Sequence, residues 1–86
     1  MTVSLILYSR PGCHLCDEMK AVVERVGRVV PLSLDVVDIT SDPTLEGRYG
    51  LEIPVLLVNG RRAAKYRVTE EELTKVVVAR AGGAGS

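Results

Sequence analysis

The sequence contains no tryptophan and no phenylalanine, and its only aromatic residues are Tyr8, Tyr49 and Tyr66. Proteins that bind single-stranded nucleic acids stack the bases on aromatic side chains. So few aromatic residues do not provide such a platform, and the hydrophobic core must be aliphatic. Hydrophobic residues, mostly valine and leucine, make up 47% of the chain. This fraction favours a folded globular protein over a disordered one.

An excess of charge of either sign is also missing, since 11 basic residues balance 11 acidic ones. A protein that binds a phosphate backbone normally carries a basic excess, so nucleic acid is not expected as a partner. A local basic stretch is present at Arg61, Arg62, Lys65 and Arg67. We interpret it as a solvated edge strand or loop rather than a recognition site.

Long hydrophobic runs are absent as well. No stretch approaches the ~20 apolar residues that span a bilayer, and the run Val3–Tyr8 is too short for a signal peptide. We therefore expect a cytoplasmic protein that makes no membrane contact. The 86 residues allow one domain, which we predict to span residues 1–81, followed by a flexible Gly/Ala/Ser tail at 82–86.

Hydrophobic periodicity and turn residues predict seven elements in the order β-α-β-α-β-β-α. The Asn59–Gly60 pair predicts a hairpin turn, and Thr69 with Glu72 predicts a capping box for the last helix. The strands are expected at Val3–Tyr8, Val29–Val37, Pro54–Val58 and Arg62–Tyr66, and the helices at Cys13 to about Val26, Pro43–Tyr49 and from Thr69 to about Arg80.

This order predicts an α/β fold with a mixed four-stranded sheet flanked by helices. A right-handed β-α-β crossover makes the first two strands parallel. The hairpin turn makes the last two strands antiparallel. The two long helices are expected to share one face of the sheet.

Cys13 and Cys16 stand where the first strand leads into the first helix. Residues three apart on a helix lie on one face, within the distance that a disulfide tolerates. Unpaired amides at a helix N-terminus stabilise a thiolate, and C-x-x-C thiols have a pKa of about 3.5–7.5 instead of ~8.5. We predict that Cys13 is the nucleophile and that the more buried Cys16 resolves the mixed disulfide.

Other roles for this motif remain open at this stage. Two structural cysteines or half of a metal site would give the same spacing, but zinc requires about four ligands and the chain adds only His14. No metal is therefore predicted within one chain. His14 either adds positive charge beside the Cys13 thiolate or points into water. Asp17 and Glu18 suit the first helical turn, although they oppose thiolate formation if they lie close to Cys13.

The pair Ile53–Pro54 precedes the third predicted strand. Proline is sterically acceptable at the start of a strand. Because only ~5–6% of X–Pro bonds in folded proteins are cis, the residues alone favour trans.

With Cys13, Cys16 and Pro54 together, the chain resembles the thioredoxin-fold superfamily, and within it small glutaredoxin-like proteins with a dithiol C-x-x-C motif. The resemblance is carried by the stretches LYSRPGCHLCDEM and RYGLEIPVLLVNG. It implies a thioredoxin-like fold, a cis bond before Pro54, and main-chain contacts from Ile53 to a substrate. It also implies that Arg10, three positions before the motif, meets a glutathione carboxylate or assists the thiolate.

The chain departs from the glutaredoxin pattern at two places. His14–Leu15 stands between the cysteines instead of Pro-Tyr. Before the last helix, where glutaredoxins carry a glycine pair that holds glutathione, this chain has Tyr66–Arg67–Val68–Thr69. Thr69 and His14 are substrate-binding candidates by their positions.

The predicted function is thiol–disulfide oxidoreductase activity toward protein disulfides or glutathione mixed disulfides. No bound cofactor is expected, glutathione is a candidate co-substrate, and either glutathione or a flavoprotein reductase would supply the electrons. We expect a monomer. One alternative is a metal or iron–sulfur cluster handling protein that uses Cys13 at a dimer interface. Another is an interaction module without catalysis.

Overall fold

The computed structural model describes residues 2–83. Within this range the chain forms four strands and three α-helices in the predicted order, with one 3-10 turn at Ile39–Ser41 before the second helix. No helix in this range is long and apolar enough to cross a membrane. The elements are β1 (Val3–Ser9), α1 (His14–Val26), β2 (Leu32–Asp38), α2 (Pro43–Tyr49), β3 (Val55–Val58), β4 (Arg61–Lys65) and α3 (Glu70–Gly83).

The sheet is mixed, as predicted, with the strand order β2-β1-β3-β4. β1 pairs parallel with β2 and antiparallel with β3. β4 pairs antiparallel with β3 through the Asn59–Gly60 turn. The two central strands are therefore β1 and β3.

Some boundaries differ from the predicted ones. β2 begins at Leu32 rather than at Val29, because the backbone N–H groups of Val29 and Val30 both donate to the Val26 carbonyl at the end of α1. Of the predicted tail, Gly82 and Gly83 form the end of α3, and residues 84–86 lie outside the described residues.

The two faces of the sheet carry separate hydrophobic clusters. Because side chains alternate along a strand, successive residues of β1 and β3 contribute to opposite clusters. On one face, α1 and α3 pack side by side, as expected, and Arg25 of α1 forms an ion pair with Glu70 of α3. This larger cluster contains Val3, Leu5, Leu7, Met19, Val23, Val26, Leu56, Val58, Leu73 and Val77.

On the other face, Tyr49 of α2 stacks on Tyr8 of β1, with ring centroids 4.4 Å apart. Ile39 and Val55 complete this smaller cluster. The helix α2 begins where the sequence predicts, because the Asp42 side chain accepts a hydrogen bond from the Thr44 N–H and Pro43 occupies the first turn.

We expect Leu56→Ala to lower the free energy of unfolding by about 2–5 kcal/mol, since it empties part of a fully buried site in a central strand. Leu51→Ala is the matched control, because Leu51 is 94% exposed and its loss should change stability by less than about 0.5 kcal/mol. Urea denaturation of both variants measures the difference. Similar losses for the two variants would contradict the assigned core.

Candidate active site

The register of the strands brings three connecting segments to the same end of the sheet, where the strands begin or finish. Tyr8 of β1 pairs with Val55 of β3, and Val55 pairs with Lys65 of β4. The C-terminal end of β1, the N-terminal end of β3 and the C-terminal end of β4 therefore lie at the same end of the sheet. The segment after β1 carries the cysteines, the segment before β3 carries Pro54, and the segment after β4 begins with Tyr66.

A tight turn delivers Cys13 to the start of α1. The Cys13 N–H donates to the Arg10 carbonyl at 3.3 Å, and Gly12 has a φ of +79°. Proline at the second position and a left-handed glycine at the third are typical of a type II turn. Pro11–Gly12 therefore ends the strand and makes Cys13 the N-cap of the helix.

Cys13 and Cys16 form a disulfide, with their Cα atoms 5.2 Å apart. Cys13 is half-buried, whereas Cys16 is 3% exposed and packs within the first turn of α1. The Cys16 backbone N–H donates to the Cys13 Sγ at 3.1 Å. The structure thus makes Cys13 the more accessible sulfur and directs a helix amide toward it.

The Ile53–Pro54 peptide bond is cis, as the resemblance implies, and Pro54 is buried. The Pro54 carbonyl accepts a hydrogen bond from the Tyr66 N–H at 2.8 Å. The Ile53 N–H donates to the Tyr49 carbonyl at 3.1 Å. Among residues 2–83 the Ile53 carbonyl accepts no backbone hydrogen bond outside the regular elements.

The Arg10 guanidinium is directed toward the end of α2. One Nη donates to the Gly50 carbonyl at 3.1 Å, where the helix carries a partial negative charge. Its Nε is buried and has no hydrogen-bond partner among the described residues. A Cβ atom at position 50 would lie 3.3 Å from the same Nη and 2.5 Å from the Glu46 carbonyl oxygen. The backbone here therefore leaves no room for a side chain at this position.

Asp38, at the end of β2, lies next to Ser9 in the sheet. Its pKa is below the ordinary value of 3.8, mainly because the Thr40 hydroxyl and backbone N–H donate to its carboxylate. The positive charge of Arg10 makes a smaller contribution in the same direction. Arg10, which follows β1, therefore attracts the Asp38 carboxylate of β2 and donates a hydrogen bond at the end of α2.

The two remaining candidates lie on exposed helix termini. His14 is the first residue of α1 and is exposed. Thr69 forms the predicted capping box, since its Oγ1 accepts from the Glu72 N–H at 3.0 Å and its own N–H donates to Glu72 Oε1 at 3.1 Å.

A groove of about 430 Å³ lies between α1, the segment after β4 and the start of α3. No local sequence pattern marks it, because its walls come from segments far apart in the chain. Thr69 lines it, as does Leu15 from between the cysteines. The other lining residues are Glu18, Met19, Ala21, Val22, Arg25, Tyr66, Arg67, Val68 and Glu72.

Residues 2–83 contain no group of three or more histidine, cysteine, aspartate or glutamate side chains that could hold a metal ion. The arrangement supports thiol chemistry at Cys13, with an amide donor on its sulfur and a second thiol one turn away.

After reduction, we expect Cys13 to react with iodoacetamide at least about tenfold faster than Cys16, because Cys16 is buried and Cys13 has the helix amide beside it. Peptide mass spectrometry after brief alkylation measures both rates. Cys13→Ser and Cys16→Ser give the rate of each thiol separately. Equal rates would contradict the assigned roles.

Comparison with known proteins agrees with this geometry. The family model described as Glutaredoxin-like domain (DUF836) matches residues 4–77. No curated protein sequence matches the chain with significant similarity. Among solved structures, the structural genomics target protein XcR50 from X. campestris is 32% identical, with a TM-score of 0.74 over 87% of this chain and 96% of that one.

Two further structures extend the comparison. Protein Ne2328 from Nitrosomonas europaea is 26% identical, with a TM-score of 0.75 over 86% of this chain and 89% of that one. A mutant thioredoxin from Halobacterium salinarum is 20% identical, with a TM-score of 0.64 over 90% of this chain and 73% of that one, and shows the fold alone. The chain therefore has a thioredoxin-like fold and belongs to the glutaredoxin-like domain family.

Proposed function

We propose that this protein is a thiol–disulfide oxidoreductase that reduces protein disulfides or glutathione mixed disulfides through Cys13 and Cys16. The observation that carries the proposal is the unequal pair at the start of α1. The outer sulfur is half-buried and accepts a helix amide, and the inner one is 3% exposed. Family membership supports redox chemistry at this pair.

The reaction starts from the reduced form. The Cys13 thiolate attacks one sulfur of the substrate disulfide, the substrate S–S bond breaks, and the leaving thiolate takes up a proton. The Cys16 thiol then loses its proton and attacks the Cys13 sulfur of the mixed disulfide. A Cys13–Cys16 disulfide forms and the second substrate thiol leaves, so that two electrons and two protons pass to the substrate. Glutathione or a flavoprotein reductase is the proposed reductant that restores the dithiol.

The start of α1 supplies the electrostatics for the first step. The Cys16 N–H and the positive end of the helix stabilise negative charge on the Cys13 sulfur. Asp17, the acidic residue of the first turn, is exposed to solvent, which screens its opposing charge. We therefore expect the Cys13 thiol to have a pKa below the ~8.5 of a free cysteine.

The segment before β3 supplies the substrate contacts in this proposal. The Ile53 carbonyl accepts no backbone hydrogen bond outside the regular elements among the described residues. An extended substrate segment beside its disulfide can donate an N–H to this oxygen, as an added strand does at a sheet edge.

Cys16→Ser should arrest the reaction at the mixed disulfide, because Cys13 can attack the substrate but no inner thiol can release it. We expect intact-protein mass spectrometry to detect a stable adduct with a synthetic peptide disulfide. Cys13→Ser is the matched control and should give no adduct at neutral pH, since the remaining thiol is buried. Adduct formation by Cys13→Ser but not by Cys16→Ser would reverse the roles, and no adduct with either would overturn the proposed reaction.

A further inference from the structure

We infer that Tyr66 and the acidic start of α3 make this site selective for protein disulfides with an apolar residue beside the cysteine, and against glutathione mixed disulfides. The inference rests on the function proposed above and narrows its substrate class. Three observations carry it, namely the backbone and contacts of Tyr66, the charge at the start of α3, and the apolar surface around the groove.

Tyr66 is fixed in an unusual backbone conformation. Its φ is +66°, in the left-handed region where a residue with a large side chain is strained. Two hydrogen bonds hold it there, from its N–H to the Pro54 carbonyl at 2.8 Å and from its hydroxyl to the Leu51 carbonyl at 3.1 Å. Strained residues persist where the surrounding structure holds them, and they cluster at functional sites.

These contacts tie Tyr66 to the segment that carries the cis bond. Tyr66 is 44% exposed and lines the groove together with Leu15, which stands between the two cysteines. Tyr66 thus forms a wall between the segment before β3 and the start of α3. A substrate segment that passes Leu15 and enters the groove contacts the tyrosine ring.

The start of α3 is unfavourable for an anion. Helix N-termini bind carboxylates when their backbone amides are available, but here the capping box already uses the N–H groups of Thr69 and Glu72 and places the Glu72 carboxylate at the helix start. Glu70 and Glu71 lie in the same turn and are paired with Arg25 and Lys75, so Glu72 is the carboxylate of this turn without an ion pair among the described residues. A glutathionyl group carries two carboxylates and one ammonium, so its net charge is repelled at this helix end.

The basic residues nearby are mostly paired. The Lys65 ammonium lies 5.4 Å from the centroid of the Tyr66 ring and 3.8 Å from Glu52 Oε1. Arg10 donates to the Gly50 carbonyl, and Arg25 is paired with Glu70. Arg67 lines the groove without an ion pair among the described residues, but Glu18 and Glu72 line the same groove. The groove therefore provides no excess of positive charge for a small anionic thiol.

The apolar lining favours a protein segment instead. Leu15, Met19, Val22 and Val68 contribute aliphatic surface to the groove. Leu51, whose carbonyl accepts the Tyr66 hydroxyl, is 94% exposed. An extended polypeptide that reaches the Ile53 carbonyl can insert an apolar side chain beside the tyrosine ring, which removes nonpolar surface of both molecules from water.

The test measures how fast the reduced protein reacts with each of three synthetic disulfides under single-turnover conditions. They are a peptide–peptide disulfide with leucine beside the cysteine, the same disulfide with serine in place of leucine, and the leucine peptide joined to glutathione. We expect the leucine peptide–peptide disulfide to react at least about tenfold faster than the other two. Equal rates, or a faster reaction of the glutathione mixed disulfide, would overturn the selectivity and leave the proposed oxidoreductase intact. Reaction with none of the three would overturn the proposed function itself.

Substitutions at Tyr66 test whether its ring causes the preference for leucine over serine. Tyr66→Gly removes the ring at a position whose φ suits glycine, and should abolish the preference for leucine over serine. Tyr66→Phe keeps the ring without the hydroxyl and should retain the preference. If Tyr66→Gly, shown to be folded by circular dichroism, retains it, the assignment to the ring is wrong.

Glu72→Gln removes the charge while glutamine can still form the capping box. We expect it to raise the rate with the glutathione mixed disulfide about two- to threefold at low salt, and this gain should shrink at high salt because screening weakens the repulsion. Glu24→Gln, on the exposed face of α1, is the matched control and should leave all rates unchanged. Equal effects of the two substitutions would contradict a local charge barrier.

Discussion

The structure depends on the burial of β1 and β3 between two layers of helix. Leu5, Leu7 and Leu56 are covered by α1 and α3, while Val55 faces α2 from the opposite side of the sheet. Because both central strands are covered on both faces, a shift of one residue in their register would exchange the side chains of the two clusters. This fixed register determines which residues emerge together at the sheet edge. The cysteine turn, the segment before Pro54 and Tyr66 meet there as a consequence of core packing.

Much of this arrangement follows from local sequence signals. Pro11–Gly12, Asp42–Pro43, Asn59–Gly60 and the Thr69–Glu72 pair each define a turn or a cap through interactions between residues at most four apart. The last two occur where the sequence predicts them. The Cys13 N-cap belongs to the same class, since its hydrogen-bond partner Cys16 lies three positions away. The α/β class, the parallel pairing of β1 with β2 and the antiparallel pairing of β3 with β4 follow from these signals together with the handedness of the crossover.

The features that escaped prediction depend on contacts between distant segments. The hydrogen bond from Arg10 joins it to Gly50, 40 positions along the chain. The strand predicted to end at Tyr66 ends at Lys65, because the two hydrogen bonds of Tyr66 hold it at positive φ. The residues alone favour a trans bond before Pro54, and only the resemblance to thioredoxin-fold proteins predicts the cis bond. No local pattern marks the groove, which exists only after α1, the segment after β4 and α3 have packed together.

The disulfide between Cys13 and Cys16 closes a very short loop, with a sequence separation of 3. In the chain-entropy model such a loop contributes less stability than the ~3 kcal/mol of a 15-residue loop. Both cysteines lie in one turn at the start of α1, and the ion pair, the capping box and the two hydrophobic clusters do not use the S–S bond. Oxidation and reduction therefore act on an already folded scaffold. In the proposed reaction, repeated oxidation and reduction of Cys13 and Cys16 therefore require no global unfolding of the chain.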